Sequence, residues 1–240
     1  MSGHSKWSTI KRQKAVTDAK RAKVFTKLAR LITIAARQGG DPAMNFRLRL
    51  AIDQARSANV PNDNIERAIK AGTGVGRGGQ AKEVIYEGYG PGGVAILVEA
   101  VTANPNRTAA EVRSVFSKHD GRLGAQHSVS WMFVRRGVTT VELNSLSPAQ
   151  REKLELALID LGLDDLREDG QRLTILSTPE QLPAVRQVLQ TAQVNVESAG
   201  LELVPTTSVM IEPPLADRLY MLLEDLEELD EVTQVYCNES

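Results

Sequence analysis

The sequence is poor in cysteine and in aromatic residues. Cys237 stands alone among 240 residues, which excludes an internal disulfide and any zinc or iron–sulfur site built from several cysteines. Four Phe, four Tyr and two Trp are scattered along the chain. That is too sparse a supply for an RNA-binding sheet, which presents two or three stacking aromatics on its strands. No apolar run approaches the roughly 18 residues of a membrane span. The early basic residues Lys6, Lys11, Arg12 and Lys14 have no apolar segment behind them, so a cytoplasmic protein is expected rather than a secreted one.

Signatures of catalysis are missing as well. The chain contains no GxxxxGK[ST], no HExxH and no GxSxG. His4, His119 and His127 are far apart in sequence, and Cys237 has no base beside it. The run Gly88-Tyr-Gly-Pro-Gly-Gly93 has the look of a phosphate cradle. A dinucleotide fingerprint passes from strand into helix, however, and this run lies between two strand-like segments, so a hairpin turn is expected. Asp164-Asp165 and the acids Glu227, Glu228, Asp230 and Glu231 fit a solvated helix face better than a cation site. An enzyme working through the glycine-rich hairpin is the weakest reading, because no acid, base or nucleophile accompanies it. No cofactor and no metal are expected.

What the chain does have is an uneven charge. Its net charge of −1 hides 16 Lys and Arg against 5 Asp and Glu in residues 1–80, and 13 against 25 in residues 81–240. Residues 1–37 alone carry ten basic side chains and one acid, Asp18. Such asymmetry points to a polyanionic partner for the basic end. A second reading stays open: the basic segment docks on the chain's own acidic stretch, Asp217 to Glu231.

Periodicity organises the rest. After Asp18, Phe25, Leu28, Ala29, Ile32, Ala35 and Ala36 make one apolar helical face. Lys20, Lys23, Lys27 and Arg30 fall nearly opposite. Ile34 interrupts that basic side and suits a partner contact. A second helix is expected over about Asn45–Ala58, and a short third one with Asp63 and Glu66 at capping-box spacing. The glycine-dense run Gly72–Gly79 reads as a linker.

Beyond it the pattern changes. Strands are expected at Val84–Tyr89, Val94–Thr102, Val129–Val134, Val138–Leu143, Leu173–Leu176, Leu201–Val204 and Val232–Tyr236. Helices are expected at Thr108–Lys118, Pro148–Leu161, Pro179–Ala192 and Leu215–Leu229. The order over about 135–205 is that of a ferredoxin-like unit interrupting an outer one. The fold class is therefore α+β: an N-terminal helical domain plus two small α/β domains, the second inserted in the first. The expected boundaries are 1–72 for the basic helical domain and 73–82 for the linker. The outer α/β domain takes 83–134 and 206–240, and the insert takes 135–205.

Clustered Lys and Arg on one helical face neutralise phosphates and release counterions. Lys6, Lys11, Arg12, Lys14, Lys20, Lys23, Lys27 and Arg30 are the expected nucleic-acid contacts, with Arg107 and Lys118 added from the second domain. Trp7, next to Lys6, suits either stacking on a base or anchoring the segment to the helical domain. Little in the sequence suggests base-specific readout, so backbone and shape binding is the expectation.

Several long motifs resemble those of the YebC family. They are Gly3-His-Ser-Lys-Trp7 with Ile10-Lys11, Lys14, Asp18-Ala-Lys-Arg21 and Phe25-Thr-Lys-Leu28, and Asn59-Val-Pro-Asn-Asp-Asn-Ile-Glu-Arg-Ala-Ile69 with Gly72-Thr-Gly74. Tyr86-Glu-Gly-Tyr-Gly-Pro-Gly-Gly-Val94, Asn106-Arg-Thr108, Phe116-Ser-Lys-His119 and Leu123-Gly124 follow. Departures are confined to Asn104-Pro105 and Gln126-His127. The resemblance implies three domains, one inserted in another, and a DNA-binding regulator of transcription. The alternative it implies is an RNA- or ribosome-binding translation factor that relieves stalling at proline-rich stretches. DNA, or ribosomal RNA and the ribosome in the alternative, are the partners implied.

Overall fold

The computed structural model describes residues 18–74, 81–144 and 146–240, with side chains from Arg21 onward. Two compact units are present. One joins the chain up to Phe133 with Pro205–Ser240, and the other is Val134–Val204.

The first unit begins with helices α1 (Asp18–Ala36), α2 (Phe46–Ser57) and α3 (Asn62–Gly72). Their shared core holds Ile32, Ala35 and Ala36 of α1, Leu48, Ala51, Ile52 and Ala55 of α2, and Ile65 and Ala68 of α3. These are the residues at helical spacing in the sequence. Asn45 joins two helices: its Oδ1 accepts from Leu48 N at 3.0 Å, while Nδ2 donates to the Ala35 and Gly39 carbonyls at 2.7 and 2.8 Å. One amide thus satisfies end groups of both α1 and α2. Gly72 is fixed by close approach, because a Cβ there would overlap the Thr33 carbonyl and the Ala36 side chain. The expected capping box of Asp63 and Glu66 is not formed. Helix α3 starts at Asn62 behind Pro61, which makes no side-chain cap, so both acids sit within the helix.

The α/β part of this unit is a sheet in the order β3-β1-β2-β8. Strands β1 (Lys82–Tyr89) and β2 (Ala95–Thr102) pair antiparallel from Lys82↔Thr102 to Tyr89↔Ala95. The turn between them has Gly92 and Gly93 at φ 72° and 77°, a conformation open to glycine and strained for other residues. This is the hairpin the sequence implied. Helix α4 (Pro105–Lys118), the two-residue β3 (Arg122–Leu123), helix α7 (Pro213–Glu227) and β8 (Val232–Cys237) complete the layer. Leu219, Leu222, Leu223 and Leu226 of α7 are fully buried with Val112 and Phe116 of α4.

The second unit runs β4 (Phe133–Glu142), α5 (Pro148–Ile159), β5 (Asp165–Asp169), β6 (Arg172–Ser177), α6 (Leu182–Thr191) and β7 (Val196–Pro205). Its sheet order, β5-β6-β4-β7, is ferredoxin-like. The fold class is α+β.

One expected strand is absent. Val129–Val134 does not form a strand of its own: Ser130–Met132 is a 3₁₀ turn, and β4 runs unbroken from Phe133 into the segment expected as a separate strand at Val138. The apolar residues Val129 and Phe133 are buried as the pattern implied. The backbone N–H groups of Val129 and Ser130 are taken by a side chain instead of a neighbouring strand.

Candidate nucleic-acid interface

Helix α1 has two working faces. One buries Phe25, Leu28 and Ile32 in the helical core. The other carries Lys23, Lys27 and Arg30, spaced i, i+4 and i+7, so the three stack along one stripe. That stripe meets the C-terminal end of α7. Lys23 Nζ lies 2.5 Å from the Glu228 carboxylate and 3.2 Å from the Glu228 carbonyl. Lys27 donates to the Glu227 carbonyl and Arg30 to the Asp230 carbonyl. A helix C-terminus carries partial negative charge on its unpaired carbonyls, and cations there are favoured. Ile34 continues the same stripe and is only 6% exposed. The expectation that Ile34 meets an outside partner is therefore corrected: the chain itself buries it.

Two more expected contacts converge on the same acidic stretch. The Arg107 guanidinium pairs with Glu231 and reaches Glu111 at 3.6 Å. Lys118 Nζ lies 2.6 Å from Asp225 Oδ2, and His119 Nε2 lies 2.8 Å from the same oxygen. The hydrogen bonds from Lys118 and His119 hold the Asp225 carboxyl below its ordinary range. The five described candidates, Lys23, Lys27, Arg30, Arg107 and Lys118, thus surround residues 225–231. The docking alternative read from the sequence describes how Lys23, Lys27 and Arg30 of the basic segment are engaged here, and Arg107 and Lys118 reach the same stretch from α4. Lys6, Trp7, Lys11, Arg12 and Lys14 lie outside the described residues, and Lys20 is placed on α1 by its backbone alone.

A second feature escaped the sequence reading. Glu87 of β1 is buried and accepts backbone N–H bonds from His127, Val129 and Ser130 at 2.7, 2.9 and 2.8 Å. Burial alone would raise its pKa, but the donors from Val129, His127 and Ser130 outweigh it and hold the carboxyl low. A groove of about 470 Å³ opens beside this loop, lined in part by Ile85, Leu123, Gln126 and His127. The available signal was an acid set between apolar and aromatic residues of a strand. A buried carboxylate there requires donors, and a loop is the usual source.

Family models place the chain. The TACO1/YebC protein N-terminal domain matches residues 5–75, and the TACO1/YebC second and third domain matches residues 81–239. The chain belongs to the TACO1/YebC family. A relative from Natranaerobius thermophilus, named "Probable transcriptional regulatory protein", is 45% identical over 99% of this chain and 96% of its own length. One of the same name from Chloroflexus aggregans is 49% identical over 99% of this chain and 95% of its own. The crystal structure of a conserved hypothetical protein from Aquifex aeolicus superposes with a TM-score of 0.87 at 45% identity, covering 98% of this chain and 97% of that one. The two relatives from Natranaerobius thermophilus and Chloroflexus aggregans are thus named as probable regulatory proteins. Among the described residues, no group of three or more His, Cys, Asp or Glu side chains is placed to hold a metal ion. No described helix is long and apolar enough to cross a membrane.

Proposed function

We propose that this protein is a nucleic-acid-binding regulator of gene expression in the cytoplasm, acting on DNA as a transcriptional regulator. The observation that carries this reading is the charge separation: ten basic residues and one acid in residues 1–37, ahead of a net-acidic remainder. Lys6, Lys11, Arg12, Lys14 and Lys20 grip backbone phosphates, with Trp7, next to Lys6 in sequence, as a further contact. Lys23, Lys27 and Arg30 hold α1 against the end of α7 and join the contact only where a phosphate displaces a carboxylate or carbonyl partner. Arg107 and Lys118 do the same from α4. The printed names of the relatives support regulation in general.

In-cell crosslinking, purification of the protein and sequencing of the attached nucleic acid test this. Recovery of a few discrete promoter DNAs is the expected result. If about five phosphates are met, log K for duplex DNA falls with log[salt] at a slope near −4.5. Recovery of ribosomal RNA at one locus would overturn the DNA target and leave a translation factor. Recovery of no nucleic acid would overturn the reading altogether.

A further inference from the structure

Tyr89 and Trp131 are distant in sequence but share one acceptor. The Tyr89 hydroxyl donates to the Ser128 carbonyl at 3.0 Å, and Trp131 Nε1 donates to the same oxygen at 3.2 Å. Trp131 nevertheless remains 69% exposed. The Arg122 guanidinium lies over the Tyr89 ring, 5.2 Å from its centroid. Two aromatic rings and a cation therefore cluster at one place on the surface.

The loop beneath them is built to stay in place. Glu87 takes three of its backbone N–H groups, and Val129 and Phe133, two residues before and after Trp131 in sequence, are buried. A large apolar ring held in water by a fixed loop is a binding feature. Its surroundings select the ligand. The exposed residues of the preceding loop, Gln126 and His127, are polar, and Ile85 of the adjoining groove is an exposed apolar neighbour of that loop. The acids flanking the cluster in sequence are already committed: Glu87 to the loop, and Asp120 to Arg218 at 2.8 Å. Glu87 keeps its negative charge, since amide donors do not neutralise it, but it is buried beneath the loop, whereas Arg122 is exposed and presents its cation to solvent.

We propose that Trp131, with Tyr89 and Arg122 beside it, is a stacking site for an unpaired nucleobase of single-stranded DNA or RNA. The indole supplies a face that any base can stack on, and Arg122 attracts the adjoining phosphate. Duplex bases are already stacked and cannot use it. The proposal rests on the nucleic-acid reading above and adds a second, non-electrostatic contact to it.

The affinities are measured on the full, unaltered chain and its Trp131 variants, and Trp7→Phe serves only the fluorescence readout, where it leaves Trp131 as the single indole. Oligo(dT), oligo(U) and a duplex of equal length are titrated, reading tryptophan fluorescence and the anisotropy of labelled strands. Quenching by a single strand and not by the duplex is expected, and whichever of oligo(dT) and oligo(U) binds tighter identifies the source of the base. Trp131→Ala should weaken single-strand binding by about 5- to 100-fold, the range of one lost base stack. Trp131→Phe should recover part of that loss. The salt slope should not change, because stacking releases no counterion. A merely structural role for Trp131 would shift the melting temperature and leave the affinity alone. Unchanged affinity in Trp131→Ala, or a silent indole while strands bind, overturns the stacking site and spares the nucleic-acid reading. No binding of any probe by the unaltered chain overturns both.

Discussion

The Lys23 ammonium is 2.5 Å from the Glu228 carboxylate and also reaches the Glu228 carbonyl, so it closes the end of α7 from a helix near the other end of the chain. Lys27 and Arg30 repeat the arrangement on Glu227 and Asp230. A stripe that reads as a phosphate-binding face is, in the folded chain, also a set of ties between α1 and α7.

Reversing these lysines therefore separates into two effects. Lys23→Glu with Lys27→Glu should lower stability by about 1 kcal/mol, since the pairs are half exposed and solvent screens them. A thermal melt should register that as a loss of roughly 2–4 °C. Lys20→Glu should leave the melt unchanged and cut the salt slope of DNA binding by about 1, if it contacts one phosphate. An equal loss of stability in Lys20→Glu would remove it from the proposed interface.

Glu87 is the linchpin of the loop at Gln126–Ser130. Glu87→Ala strands three backbone donors and should cost about 3 kcal/mol or more. Denaturant unfolding measures it. A change below about 1 kcal/mol would show that water replaces the carboxylate freely.

Acid should weaken the fold through two carboxylates. Glu87 and Asp225 both have pKa values lowered in the folded state. Their contribution is complete above the unfolded values, about 4.3 and 3.9. It is lost as pH falls below those values and through the lower folded ones. Urea midpoints measured between neutral pH and pH 3 should fall most steeply at the acid end. Asp225→Asn, which removes the carboxylate partner of Lys118 and His119, should flatten that limb. An unaltered limb would assign the acid sensitivity elsewhere.

Gly72→Ala should destabilise the helical layer by roughly 1–3 kcal/mol, because the added methyl meets the Thr33 carbonyl and Ala36 of α1. Denaturant unfolding is again the measurement. A neutral outcome would mean that α3 shifts away from α1 at little cost.

Much of the architecture was legible from the chain alone. The apolar face of α1, the four leucines of α7 and the hairpin at Gly90–Gly93 followed from local spacing and turn chemistry. Three of the four strands of the ferredoxin-like insert followed in the same way; its edge strand β5 (Asp165–Asp169) did not, because Asp165-Leu-Arg-Glu-Asp169 carries one apolar residue and no strand pattern. The strand expected at Val129–Val134 failed for a specific reason. Val129 and Phe133 are buried, but Trp131 between them is exposed and a carboxylate from β1 takes the N–H groups of Val129 and Ser130, and a pattern of side chains carries no record of that. The capping box of Asp63 and Glu66 failed because the helix begins one residue after Pro61, which places both acids inside it.

The candidate site divided in the same way. Composition located the basic end, and helical period put Lys23, Lys27 and Arg30 on one side. Period alone left Ile34 looking misplaced on that side, whereas it is buried there. Nor did any local signal bring Tyr89, Arg122 and Trp131 together at Ser128.

The sequence by itself determined the elements, their order and the segregation of charge, because helix and strand periodicity and turn geometry act between residues a few positions apart. Only the tertiary structure decided what faces what: α1 against the end of α7, Glu87 beneath a loop, two aromatics on one carbonyl. Those pairings join residues far apart along the chain. They are settled by which buried donors, acceptors and charges find partners when the layers close.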